Sequence, residues 1–97
     1  MLEVTYHPAV QKELTQYAVF YEEQSEGLGK RFLDEYDQAV ADIQHYPEAW
    51  ALIEQPYRCH QLRHFPHGII YRILSGKIRI LSVMHLHRRP GYWKGRE

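Results

Sequence analysis

The chain has one cysteine, Cys59, among 97 residues, so no disulfide can form within it. A lone thiol in a small chain fits a reducing compartment better than a secreted setting. No apolar stretch approaches the roughly 20 residues that a membrane helix needs. The opening Met1-Leu2-Glu3-Val4-Thr5-Tyr6 lacks the basic start and long apolar run of a signal peptide. Repeats, low-complexity tracts and a domain linker are also missing. The expectation is a soluble, cytoplasmic protein with no membrane partner, folded as a single domain over residues 1–97. A chain of this size buries roughly 60–70% of its unfolded surface, enough for one small core.

A further scarcity is regional. Residues 1–56 carry three basic side chains (Lys12, Lys30, Arg31) against eleven acidic ones, a net of −8. Residues 57–97 carry nine basic side chains against Glu97 alone, a net of +8, and five of the seven histidines. The formal net charge of zero hides this division. Such asymmetry argues for an acidic or polyanionic partner on one face. The plainer alternative is two solvated faces that differ in sign.

Periodicity outlines the elements. Leu2, Val4 and Tyr6 alternate with Glu3 and Thr5, as in a short strand. His7-Pro8 reads as a helix start, because proline is tolerated at the first helical position. Val10, Leu14, Tyr17, Ala18 and Tyr21 follow at helical spacing, leaving Lys12, Glu13, Gln16 and Glu23 on other faces. Ser25-Glu26-Gly27-Leu28-Gly29 breaks the pattern. A second stripe runs through Phe32, Tyr36, Ala39, Val40 and Ile43 until Pro47 ends it. Helices joined so briefly form an antiparallel hairpin.

Residues 47–56 read as a loop. The period then becomes strand-like, giving strands at Tyr57–Phe65, Ile69–Leu74 and Lys77–His85, with turns at Pro66-His67-Gly68 and Ser75-Gly76. Strict alternation in the last strand places Ile78, Ile80, Ser82 and Met84 on one face, and Lys77, Arg79, Leu81, Val83 and His85, followed by His87, on the other. The predicted fold is α+β: an N-terminal strand and an antiparallel helical hairpin packed on one face of a small antiparallel sheet. The other face of the sheet can stay wet, and basic charge gathers on the sheet.

Several stretches in order carry a resemblance. Phe20-Tyr21-Glu22-Glu23-Gln24 with Gly27-Leu28-Gly29-Lys30-Arg31-Phe32, then Tyr46-Pro47-Glu48-Ala49, then Arg63-His64-Phe65-Pro66-His67-Gly68-Ile69-Ile70-Tyr71-Arg72, and finally Val83-Met84-His85-Leu86-His87-Arg88-Arg89-Pro90-Gly91-Tyr92-Trp93 resemble the ParE/RelE toxin superfamily, on its ParE-like side. Together they span about residues 4–94. The resemblance implies the β-α-α-β-β-β fold and a growth-inhibiting toxin of a type II toxin–antitoxin system. It implies a cognate antitoxin as partner, and DNA gyrase or the ribosome with its messenger RNA as target. ParE-like members poison gyrase, whereas RelE-like members cleave messenger RNA as endoribonucleases.

RNA cleavage needs cations at the scissile phosphate, a base for the ribose 2′-hydroxyl and an acid for the leaving oxygen. Arg79 and Arg88 are candidates for the first task and His85 or His87 for the second, while Tyr92 resembles a tyrosine near the tail of RelE-like enzymes. RelE-like toxins commonly place an arginine at the start of the middle sheet strand, where this chain has His67-Gly68-Ile69. That departure favours the gyrase-type reading and leaves the chain uncertain as an enzyme. Candidates for binding target or antitoxin are Arg58, Arg63, Arg72, Arg79, Arg88, Arg89, Tyr92, Trp93 and Lys94. Any of these arginines can equally be a solvated strand position. Tyr92-Trp93 can stack on a base, anchor in a partner, or fold back on the core. An acidic antitoxin segment that orders on binding would complement the basic sheet. His85 and His87 form one same-face pair and His60 and His64 another, but no further ligand is evident beside either, so neither a metal nor any other cofactor is expected. A plain nucleic-acid or partner-binding module without toxicity remains as a third reading.

Overall fold

The computed structural model describes residues 2–88 and 91–97. The chain runs β1 (Glu3–Tyr6), α1 (Pro8–Gln24), α2 (Leu28–His45), β2 (Ala51–Glu54), β3 (Tyr57–Gln61), β4 (His67–Leu74) and β5 (Lys77–His85). One five-stranded sheet has the order β1-β5-β4-β3-β2. The pair β1–β5 is parallel and the other three pairs are antiparallel, so the sheet is mixed. The helical hairpin between β1 and β5 carries the chain across, as a parallel connection requires.

Local chemistry explains both helix starts. The His7 imidazole accepts from the Ala9 N–H at 3.1 Å, and Pro8 takes the first helical position. At the hairpin, Glu22 near the end of α1 accepts from the N–H groups of Gly27 (2.9 Å) and Gly29 (3.0 Å). One carboxylate thus caps the first turn of α2, where the helix dipole favours negative charge. Gly27 has φ +86°, a left-handed conformation that glycine adopts without steric cost.

Phe32, Ile43, Ile69, Tyr71, Ile78, Ile80 and Val83 are fully or almost fully buried between the hairpin and the sheet. Residues 51–54, expected within a loop, instead form the edge strand β2 against β3. Its four side chains are all exposed, so no apolar alternation marks it. β3 ends at Gln61 rather than Phe65, and His67, expected in a turn, is the first residue of β4, paired with His85.

Gly68 makes that pairing possible. A Cβ there would lie 2.5 Å from Cys59 Sγ and 3.6 Å from Leu86 Cδ2. The thiol therefore crosses over the glycine. Gly68→Ala is expected to lose about 1–3 kcal/mol by overpacking. Adding Cys59→Ala should recover part of that loss in urea unfolding. A double variant no more stable than Gly68→Ala alone would show that the clash lies elsewhere.

A bulge redistributes the faces of β5. Tyr71 pairs with Ile80 and Ile70 with Ser82, leaving Leu81 as the extra residue. Alternation restarts after it. Val83 and His85 therefore join Ile78 and Ile80 on the helix side, while Arg79, Leu81 and Met84 share the opposite side. This corrects the uniform alternation expected from sequence. It separates Arg79 from His85, which strict alternation puts together.

The second face is not left wet either. The segment 91–97 lies over it, and Trp93, 3% exposed, packs with Cys59, Ile70 and Leu81. Among the described residues, no helix is long and apolar enough to cross a membrane.

Candidate functional site

β1 pairs only with residues 77–80 of β5, so the rest of that strand's edge would show bare peptide groups. Side chains fill the gap. Glu13 of α1, 6% exposed, accepts from the Val83 N–H at 3.0 Å and from Ser82 Oγ at 3.2 Å. Arg96 donates to the Leu81 carbonyl at 2.9 Å and to Glu13 at 3.0 Å. Tyr92 Oη lies 2.8 Å from Ser82 Oγ and donates to Glu13 at 3.2 Å. Glu13, expected off the apolar stripe, is thus the buried node that ties the tail to α1 and β5. The available signal was spacing: Val10 three residues before it and Tyr17 four after share its side of the helix. Ser82 and Arg96 carried no comparable sequence signal.

The candidate aromatics separate in this setting. Trp93 is core, which decides among its alternatives in favour of folding back. Tyr92 is half-buried. Burial above all pushes its hydroxyl up to about 12. The Arg88 guanidinium lies 4.2 Å from the Tyr92 ring centroid and that of Arg96 5.3 Å, so two cations flank one ring.

The histidine end of the sheet lies near the turn that precedes β4. His67 is fully buried and its Nε2 is 2.8 Å from Tyr21 Oη. Its ring meets Tyr17, Phe32 and His85 at centroid distances of 4.3, 5.0 and 5.0 Å. Burial chiefly, and then the neighbouring His85, lower its pKa to about 4. His85 Nδ1 accepts from the His87 N–H at 3.1 Å, so that nitrogen carries no proton. His87 is exposed. Among the described residues, no group of three or more potential metal ligands gathers here or elsewhere.

The arginines are dispersed. Arg58 donates to the carbonyls of Glu48 (3.2 Å) and Trp50 (2.9 Å), which pins the segment leading into β2. Arg63 is exposed after β3. Arg72 and Arg79 face one another across β4 and β5 on the tail side. Arg79 donates from Nε (3.1 Å) and Nη2 (2.9 Å) to a main-chain oxygen of Glu97. Lys94 pairs with Glu54 at 2.9 Å, an exposed bridge of small energetic weight. Arg89 lies outside the described residues.

The five groups considered for RNA cleavage therefore fall into separate neighbourhoods. Arg79 precedes His85 by six residues on β5, on the order of 20 Å of extended strand, and faces the other way. Arg88 and Tyr92 adjoin each other, but the tyrosine hydroxyl is engaged by Ser82 and Glu13. Open concavities among the described residues include two beside the helices. One, of about 600 Å³, lies between α1, α2 and the end of β1, against Tyr6, Leu14, Val19 and Leu33. The other, of about 510 Å³, lies beside the acidic side of α2, against Asp34, Glu35, Asp42 and Trp50. Neither contains a candidate catalytic histidine.

No curated protein matches this chain by sequence. Among solved structures, a chain of the "Chromosomal ParDE TA system from P. aeruginosa" is similar with a TM-score of 0.65 at 13% identity, covering 90% of this chain and 98% of that one. At that identity the likeness speaks for the fold alone. The model of the family described as "ParE toxin of type II toxin-antitoxin system, parDE" matches residues 4–90. With most of its length inside that match, the chain belongs to the ParE toxin family of type II toxin–antitoxin systems.

Proposed function

We propose that this toxin arrests growth by acting on DNA gyrase in the cytoplasm, through its basic sheet end and tail, and that its cognate antitoxin silences it with an acidic segment. The observation that carries the gyrase reading is the bulge at Leu81, which leaves Arg79 and His85 on opposite faces. Ribonucleolytic chemistry needs base, acid and phosphate-binding cations around one scissile bond. Poisoning a target by binding needs only a complementary surface. The surface proposed for target or antitoxin contact comprises Arg63, Arg72, Arg79, Arg88 and Lys94, with Arg89 as its sequence neighbour. The gyrase-type reading makes the chain a binder rather than a hydrolase.

Inducing the chain alone in a bacterial host, with DNA and protein synthesis pulse-labelled side by side, tests this directly. DNA synthesis is expected to fall first, and purified gyrase is expected to lose supercoiling activity on addition of the toxin. A His85→Ala, His87→Ala double variant should stay toxic. Protein synthesis falling first, with toxicity abolished by that double variant, would replace the proposal with a ribosome-dependent endoribonuclease. Normal growth with soluble protein confirmed would leave a binding module.

A further inference from the structure

We infer that the groove between α1, α2 and the end of β1 binds a small free ligand, an aromatic amine whose ring rests on the apolar lining and whose ammonium reaches Tyr36 Oη and Asp37. None of the residues proposed for target or antitoxin contact lines this groove, so the inference stands apart from the gyrase reading. Its volume of about 600 Å³ falls in the range of small-molecule sites, which combine apolar walls with a few placed polar groups. Buried Val10 and Leu14 line it together with Val19 and Leu33, which leave apolar surface exposed.

The polar part of the lining is unmatched. Tyr36 is 5% exposed, and its hydroxyl is buried with no hydrogen-bond partner among the described residues, a costly and uncommon state. Burial chiefly, then Tyr6 and Asp37, push that hydroxyl's pKa up, so it stays a neutral phenol. Tyr6 and Asp37 line the same groove, which places the orphan hydroxyl at their end of it. The Tyr6 side chain is half exposed, so its ring can swing aside to admit a head group. Asp37 is the only carboxylate of the lining, no lysine or arginine borders it, and it joins no ion pair among the described residues. Gln11 and Thr15 bond to each other. The start of α1 borders the groove but offers an anion no free donor: Pro8 has none, and the N–H groups of Ala9 and Val10 are taken by His7. A cation therefore suits the head of the site. A second copy of the chain suits it poorly, because residues 1–56 carry a net charge of −8 and two hairpins set groove to groove would repel. One buried hydroxyl beside one carboxylate is matched by one head group entering end-on, which a small molecule supplies.

The test titrates the full chain, labelled with nitrogen-15, with three probes. Tryptamine has both ring and ammonium, indole-3-propionate has the ring with an anion, and butylamine has the ammonium without a ring. Tryptamine is expected to move the backbone amide signals of Leu14, Val19, Leu33 and Asp37 and to bind about tenfold more tightly than either other probe. Tyr36→Phe keeps the ring and removes the hydroxyl. It should weaken tryptamine about tenfold while leaving the urea midpoint unchanged or higher, since the fold loses an orphan group. Asp37→Asn should weaken tryptamine and leave indole-3-propionate no weaker. Unmoved signals, equal affinity for the three probes, or full affinity in both variants would overturn the site. A lower urea midpoint for Tyr36→Phe would show that the hydroxyl is partnered within the fold, and would overturn it too. Two further outcomes would replace the occupant: the same signals moving with protein concentration alone would mark a contact between copies, and a lysine-bearing amphipathic helical peptide binding where the small probes fail would mark a protein-docking face.

Discussion

Acidifying the protein from pH 7 to pH 4 is expected to cost the fold about 3 kcal/mol through His67 alone. The imidazole is fully buried against Tyr17, Tyr21 and Phe32, and its pKa is lowered to about 4. In the unfolded chain the same group titrates near 6.5. Between those values the unfolded chain binds a proton that the folded one refuses, so stability is complete above about pH 6.5 and falls as pH falls toward 4. His60, also lowered chiefly by burial, adds a loss of the same sign. His67→Phe keeps a ring in the aromatic surroundings and removes the titration. Urea unfolding of both chains across this pH range should therefore show a flatter dependence for the variant. Equal slopes would mean that His67 takes up its proton in the folded chain at the same pH as in the unfolded one.

Glu13→Ala is expected to destabilise the chain by about 3–5 kcal/mol, the range for breaking a buried ion pair from one side. The substitution leaves the Val83 N–H without its partner and takes the charged acceptor from Arg96, Ser82 and Tyr92 at once, although Arg96 keeps the Leu81 carbonyl and the two hydroxyls keep each other. Against a total stability of roughly 5–15 kcal/mol for a domain, that is a large share. The asymmetry of hydrogen bonding supplies a second arm. Removing both charges with Glu13→Ala, Arg96→Met should cost less than the two single substitutions added together, because no guanidinium is left unpaired. Tryptophan emission should report loosening of the tail, since Trp93 is buried only while residues 91–97 hold their place. A loss below about 1 kcal/mol, with emission unchanged, would demote Glu13 to a peripheral contact.

The two positions illustrate how unevenly sequence discloses structure. Helix 2 was legible because Phe32, Tyr36, Ala39, Val40 and Ile43 repeat at helical spacing and all are buried. Helix 1 was legible for most of its length, yet the residue with the greatest structural weight on it, Glu13, carries a charge and reads as solvent-facing. Strand β2 escaped because both faces of a short edge strand are exposed, so no alternation announces it, and the brief apolar run Trp50-Ala51-Leu52-Ile53 lies between Pro47 and Pro56, which read as a loop. His67 sits between Pro66 and Gly68, a turn-like triplet, and only pairing with His85 draws it into β4.

By itself, the sequence determined the α+β class, the helical hairpin, the strand segments of the meander and the separation of acidic from basic halves. Each follows from short-range periodicity or from composition, which need no knowledge of what packs where. The ordered run of local similarities also led to the ParE family, which the family match bears out. Only the tertiary structure decided which side chains meet. One extra residue at Leu81 reversed the facing of everything after it, so Arg79 and His85 parted. The tail's return placed Trp93 in a second core, and Glu13 beside strand atoms about seventy residues away in sequence. Such contacts are set by register and by unpaired peptide groups seeking partners, and neither leaves a mark in the order of neighbouring residues.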